Sequence, residues 1–301
     1  MKPLDKPRWI GGFAEQHSGD TVYLSVAFTW KILEARSRAM FLKSSGFRVL
    51  AGGPAFFLQS MKDEIKDVAE VGAALPDAVR LHNPSATIAS RGCPVGCYFC
   101  IVPKMEGKAF TLLPDFPVRP ILCDNNLSAL PSEYQDYIIN RYKSEGVPLL
   151  DANSGFEPST FTEDVYQRWK PINRGPWRFA YDELKERDDV LRVMRMLSDE
   201  NQKKKRVYVL IGNEPFAECM SRIREVIDNG CEPHVQPYIK LTSLEREPFV
   251  QFDWTRRRLM DVARWANGFV WKKVGFDQYD RTTGHTKEPR FTYDEQQGLF
   301  V

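Results

Sequence analysis

SRGCPVGCYFCIVP, residues 90–103, decides how the rest of the chain is read. It holds three of the six cysteines, Cys93, Cys97 and Cys100, at the spacing C-x3-C-x2-C. Structural zinc sites use four ligands and disulfides use pairs, so a run of three stops one short of either. Thiolates are soft ligands that select zinc, copper(I) or iron–sulfur iron. A four-iron cubane held by three cysteines leaves one iron open, by the same logic that separates catalytic from structural zinc. Gly92 and Gly96, with Pro94, supply the tight backbone that wraps such a group. The alternative is zinc, with a distant fourth ligand drawn from His17, His82, His234, His285 or Cys123.

Working outward, the cysteines follow a β-rich stretch, ATIAS (86–90), and five more strand candidates come after them. These are ILCD (121–124), PLLDA (148–152), WRFAY (177–181), RVYVLI (206–211) and HVQPYIKL (234–241). Helical periods separate most of them. Tyr134, Tyr137, Ile138 and Tyr142 line one face; Val190, Leu191, Met194 and Leu197 line another; Phe216, Cys219, Ile223, Val226 and Ile227 line a third. Six strands alternating with helices predict an α/β fold with a parallel sheet, open or curled into part of a barrel. The cysteines then lie at the carboxyl end of its first strand, where active sites of such folds gather. Residues 101–120 carry four prolines and no helical period, and read as a long loop.

Upstream, TVYLSVAFTW and FRVLAGGP flank a helix bearing Ile32, Ala35, Ala39 and Leu42, with Gly46 as its stop. That is a small βαβ unit with a right-handed crossover expected. Its Gly52-Gly53-Pro54 turn lacks the G-x-G-x-x-G fingerprint. Downstream of 246 a basic, aromatic helix is predicted, with Leu259, Val262, Ala263 and Ala266 on one face. The expected divisions are thus 1–82, 83–245 and 246–301.

Bulk composition narrows the classes. The chain has 301 residues, 42 basic and 40 acidic, for a net charge of +2. No global field points to nucleic acid or a membrane surface. The apolar runs are too short to span a bilayer, and no apolar stretch follows the first lysines as a secretory signal would require. The expectation is a cytoplasmic protein whose cysteines are thiols or metal ligands rather than a disulfide frame.

The C-x3-C-x2-C run, with aromatic Phe99 before its last cysteine, resembles the motif of the radical S-adenosylmethionine superfamily. The resemblance implies a partial (β/α)6 TIM-type barrel, here preceded by a small Rossmann-like βαβ unit. It also implies a [4Fe–4S] cluster on Cys93, Cys97 and Cys100, chelated by the methionine end of S-adenosylmethionine. Reductive cleavage of that cofactor to a 5′-deoxyadenosyl radical, and hydrogen abstraction from a substrate, are the expected chemistry. A flavodoxin or ferredoxin is the implied electron donor.

Other positions follow from the resemblance less directly. ILCDNNL stands where the family often has Gly-Gly-Glu and departs from it. Asp124, Asn125 and Asn126 can accept bonds from the methionine ammonium, or simply form a polar strand-end turn. Ser154 and Glu157, after the third strand, suit ribose or methionine, or form a turn before a helix capped by Thr162. Arg178, inside the fourth strand, needs an anion: the methionine carboxylate, Glu157 or Asp182. VLIGN is similar to the adenine-contacting segment: Leu210 and Ile211 are expected to pack on the adenine face, with Gly212 allowing close approach. Gln236 and Tyr238 are expected to face the substrate. The first unit resembles the end of a cobalamin-binding domain, but it lacks D-x-H-x-x-G, so cobalamin is not expected.

Substrate class stays open at this level. Arg256, Arg257, Arg258, Lys272 and Lys273, interleaved with Trp254, Trp265 and Trp271, suit nucleic acid, or else a solvated helix packing its tryptophans inward. A non-catalytic iron–sulfur sensor and a zinc-binding structural module are the other functional readings.

Overall fold

In the computed structural model, residues 8–10, 12–72, 78–153 and 155–281 are described. The chain is mixed α/β. Its first sheet has five strands, β1 (Arg8–Ile10), β2 (Phe13–Ser18), β3 (Thr21–Val26), β4 (Arg48–Gly52) and β5 (Glu70–Val71), in chain order. The expected βαβ unit is its second half. Helix α1 (Ile32–Ser44) joins the parallel strands β3 and β4, and buries Ile32, Ala35, Ala39 and Leu42 against Val22, Leu24 and Ala51. It ends where expected: Gly46 has φ +88°, and Phe47 N–H closes back on the Leu42 carbonyl at 3.1 Å.

Strands β1 and β2 were not legible in the sequence; β2 runs antiparallel to both of its neighbours, β1 and β3. FAEQHS shows no apolar alternation because it buries polar groups. Glu15 is only 1 % exposed, yet its carboxylate accepts two bonds from Arg38 at 2.7 and 2.8 Å and pairs with His17 at 2.7 Å. A buried carboxylate satisfied this fully is tolerated in a strand.

A short helix α2 (Gln59–Asp63) precedes β5, and α3 (Ala78–His82) leads into the second region. ATIAS does not form one strand. It splits into β6 (Ala86–Thr87) and β7 (Ser90–Arg91), the turn between them held by a buried carboxylate described below. Residues 101–120 are likewise not all loop, since α4 (Val102–Met105) and β8 (Thr111–Leu112) form within them.

Then come β9 (Ile121–Leu122), α5 (Ser132–Glu145), β10 (Asp151–Ala152), α6 (Glu163–Trp169), β11 (Trp177–Ala180), α7 (Arg187–Met196), β12 (Lys205–Ile211), α8 (Phe216–Asp228), β13 (Glu232–Pro237) and α9 (Arg256–Asn267). Strands β6, β9 and β10 form one parallel sheet, and β11, β12 and β13 another. Two links run between them. Leu149 bridges to Asn173 in parallel, and Phe156 N–H donates to the Arg178 carbonyl at 2.8 Å. Neither sheet closes on itself.

The helical faces hold in their centres and loosen at their edges, with Phe216 and Ile227 of α8 only partly buried. Tyr137 is exposed rather than inward, stacked on Tyr134 with its hydroxyl donating to the Pro114 carbonyl at 2.8 Å. On α7 the buried residues are Val190, Val193 and Met194, and Leu191 is only partly covered.

α9 packs into the same core as β12, α8 and β13, through Leu259, Val262, Ala263 and Ala266. Trp254 and Trp265 are buried there, donating their indole N–H to the Glu214 and Val274 carbonyls at 2.8 and 2.9 Å. They are therefore packing residues and not base-stacking platforms. The nearby cations are also engaged: Arg256 with Glu247, Arg258 over the Phe216 ring, and Lys272 with Glu232.

One arginine braces the strand ends. Arg222 of α8 is fully buried. It donates to the carbonyl of Tyr181 at 2.5 Å and of Leu210 at 3.0 Å, and pairs with Glu214 at 2.9 Å. Removing it strands two carbonyls and a carboxylate. Arg222→Met is expected to cost about 3 kcal/mol or more, read as a lower urea midpoint, because breaking a buried pair from one side is expensive. A midpoint equal to that of the parent chain would refute this bracing role.

Candidate metal centre

The three cysteines lie on a loop whose neck is stitched shut. Strands β7 and β8 pair antiparallel, Ser90 with Leu112 and Arg91 with Thr111. Inside that pair, Cys93 N–H donates to the Gly107 carbonyl at 3.3 Å. Glu106, just after α4, completes the closure. One carboxylate oxygen accepts from Arg91 at 2.8 Å; the other accepts from Gly92 N–H at 2.9 Å and Asn125 Nδ2 at 2.7 Å. Gly92 itself is at φ +88°, and a Cβ there would sit 2.2 Å from the Ala109 carbonyl oxygen. Only glycine fits so tight a crossing.

Cys93, Cys97 and Cys100 are each partly accessible. Their polar contacts are few: Val102 N–H to Cys100 Sγ at 3.4 Å, and Asn126 Nδ2 to Cys93 Sγ at 3.7 Å. Burial pushes the Cys97 thiol up to about 12, aided by Cys100 and by the carboxylates Glu157, Asp182 and Glu186. Burial also raises Cys100, with Cys93 contributing. Burial thus holds these thiols protonated, and a bound cation would reverse that by favouring the thiolates. Among the described residues no three His, Cys, Asp or Glu side chains are already drawn together as a metal's ligand set. The chemistry of the donors, three thiols on one closed loop, fits an iron–sulfur cluster.

Of the candidate fourth ligands for zinc, His17 bonds Glu15, His82 bonds Ser25 at 2.8 Å, and His234 lies edge-on to the Tyr208 ring. His285 falls outside the described residues. Cys123 is contacted by Asn153 Nδ2 at 3.8 Å.

The candidate cofactor residues separate into two groups. Phe99, Asn125 and Glu157 are partly accessible and belong to the surroundings of the cysteines. Phe99 sits on the loop, edge-on to Tyr98 at 5.0 Å. Asn125 spends its amide N–H on Glu106 and the Gly92 carbonyl, which keeps its oxygen free of that network. Glu157 accepts from Ser159, and its charge reaches Cys97.

The second group is turned to structural work. Asp124 is 1 % exposed and accepts from Ala89 N–H at 2.7 Å and Ser90 Oγ at 2.5 Å, so it pins the β6–β7 turn instead of reaching an ammonium. Asn126 is buried and belongs to both groups: its oxygen accepts from Ser128 and Ala129, while its Nδ2 is the one that reaches Cys93 Sγ. Arg178 finds neither Glu157 nor Asp182. It grips Asp151 bidentately at 2.5 and 2.6 Å and also donates to the Tyr208 hydroxyl. Ile211 is buried on the helix-facing side of β12. Val207, Val209 and Ile211 are buried in the core shared with α8, and alternation leaves Leu210 on the partly exposed face. Gly212 is backed by Leu259, 3.0 Å from where a Cβ would stand. Ser154 lies outside the described residues.

Sequence reasoning missed Glu106 and Asp151. Glu106 sits in the proline-rich stretch without a period, and only its charge beside the cysteines hinted at a role. Asp151 opens a turn-like segment, DANSG, and gives no sign of an arginine partner 27 residues on.

The chain matches no protein-family model and no curated protein.

Asp124 carries a prediction. Burial raises its carboxyl to about 7 from an ordinary 3.8, against the pull of its bonds to Ser90 and Ala89. Between those values the unfolded chain has lost the proton and the native chain keeps it. Stability therefore declines as pH rises from about 4 to about 7. Asp124→Asn, whose amide can donate to Ser90 Oγ, is expected to remove that decline and gain stability relative to the parent as pH rises. A melting-temperature difference that stays constant from pH 4 to 8 would rule it out.

Proposed function

We propose that this chain is a radical S-adenosylmethionine enzyme. The observation that carries the reading is the C-x3-C-x2-C loop, which opens after β7, one turn beyond β6, the first in chain order of six strands that pair in parallel. Helices alternate with those strands: α4, α5, α6, α7 and α8 fall between successive members. We read them as a partial (β/α)6 barrel over about residues 83–245, with α9 covering its last strands and the Rossmann-like unit before it.

Cys93, Cys97 and Cys100 hold a [4Fe–4S] cluster in this reading. When bound, the cluster supplies a low-potential electron, and S-adenosylmethionine supplies the carbon centre that takes a hydrogen atom from the substrate. The chain's own residues do the positioning. Glu106 and Gly92 fix the neck of the loop. Asn125, with an oxygen clear of the neck network, and Glu157 offer acceptors to an ammonium or ribose hydroxyl. Leu210, not Ile211, offers an apolar face toward an adenine ring. Gln236 and Tyr238 remain candidates to meet the substrate. A flavodoxin or ferredoxin is the proposed reductant, and a small molecule is favoured over nucleic acid because Trp254 and Trp265 are occupied in the core.

The test is anaerobic. The protein is reconstituted with iron and sulfide, given dithionite and S-adenosylmethionine, and assayed for 5′-deoxyadenosine. About four irons per chain and product formation are expected, with both lost in Cys97→Ala. Cys219→Ser is expected to keep them, since Cys219 is buried on α8 beside Arg222. Bound zinc in place of iron, or undiminished product from Cys97→Ala, would overturn the reading.

A further inference from the structure

We propose that Glu106 is a positioning residue that pre-shapes the cysteine loop before any metal arrives. The proposal rests on reading the three cysteines as iron ligands, and it is argued from the neck alone. The two ends of the loop are 14 residues apart in sequence at the Gly92–Glu106 contact. Holding such ends together in a free chain costs loop-closure entropy. Here three donors converge on one carboxylate that is 8 % exposed: Arg91, Gly92 N–H and Asn125 Nδ2. An ionised acceptor bonded by a cation and by two N–H groups is among the stronger arrangements available to a side chain. The loop is thus closed by protein–protein bonds whether or not a ligand lies inside it, which lowers the ordering cost of binding.

Glu106 also joins two segments that must agree in position. Gly92 immediately precedes the first cysteine. Asn125 belongs to the strand-end segment after β9 and bonds the Gly92 carbonyl at 3.4 Å as well. Its neighbour Asn126 reaches Cys93 Sγ. The carboxylate therefore sets the loop's register against the segment that would meet the ligand's polar end. Glutamine cannot replace it. Its oxygen can keep the Gly92 N–H and Asn125 bonds only as a neutral acceptor, roughly half as strong, and its N–H2 is then turned on the Arg91 guanidinium.

The measurement pairs amide exchange with iron retention. In the metal-free protein, the Gly92 amide of Glu106→Gln should exchange about tenfold faster or more than in the parent, with melting temperature little changed. After reconstitution with ferrous iron and sulfide, the same variant should lose iron to a chelator about 10–100-fold faster, the usual effect of removing a group that orients ligands. Its reduced cluster should give a broadened paramagnetic resonance signal. Asn125→Ala, which leaves the carboxylate in place, should shift all three readouts the same way but less, and it serves if Glu106→Gln does not fold. If the parent binds iron and Glu106→Gln matches it in exchange and retention, the positioning role is wrong while the enzymatic reading stands. If the parent binds no iron, the enzymatic reading fails, and Gly92 exchange alone decides the role of Glu106.

Discussion

Three thiols in eight residues can serve one ligand only if the chain carrying them turns back on itself. That constraint organises this region of the molecule. The β7–β8 ribbon, the left-handed Gly92 and the Glu106 carboxylate all act at the same crossing. Asp124 acts one step upstream, holding the β6–β7 turn that aims the chain into the loop. Two buried or nearly buried carboxylates thus do the local folding. A sequence scan assigns such residues to ligands, because an acid beside a cysteine motif is more often noticed for its charge than for its capacity to accept backbone N–H groups.

Away from the loop, the parallel strands divide their faces by simple alternation. On β12 the residues Val207, Val209 and Ile211 belong to the helices, and Arg206, Tyr208 and Leu210 to the other side. That other side is polar for much of its length. Arg178, Asp151 and Tyr208 form one hydrogen-bonded group, with His234 against the Tyr208 ring and Arg206 facing Glu232 at 3.8 Å. Burial holds the His234 imidazole down at about 4, with Arg206 and Arg178 adding to the effect, so it is neutral at ordinary pH. The arginine charges are met by carboxylates within the group.

How much of this was legible in the sequence depends on the kind of signal. Apolar periodicity placed the helices and the long strands well. The α9 stripe of Leu259, Val262, Ala263 and Ala266 is buried as read, and β12 differs from RVYVLI by one residue. Strands of two residues, such as β6, β9 and β10, were located but overextended, since hydrogen bonding to neighbouring turns ends them before their composition does. β2 was invisible because Glu15 and Gln16 are buried by pairing rather than by hydrophobicity. The site followed the same rule. The pairings that folding makes there, Asp151 with Arg178 and Glu106 with Gly92, leave no mark in the sequence. Leu210 and Ile211 stand side by side in VLIGN, and the two-residue period puts them on opposite faces of the sheet, a division that composition does not show.

The packing of α9 has a consequence for how the molecule is made. The core around β12, α8 and β13 includes Trp254, Leu259, Val262, Trp265 and Val270, and Trp265 donates to a carbonyl at Val274. A chain emerging from the ribosome presents β11 to β13 well before these residues exist, at a synthesis rate of roughly 5–20 residues per second. The first sheet, whose core draws on residues 13–69, can close early. The second half must wait, with its apolar strand faces open, until the last covering helix has been translated.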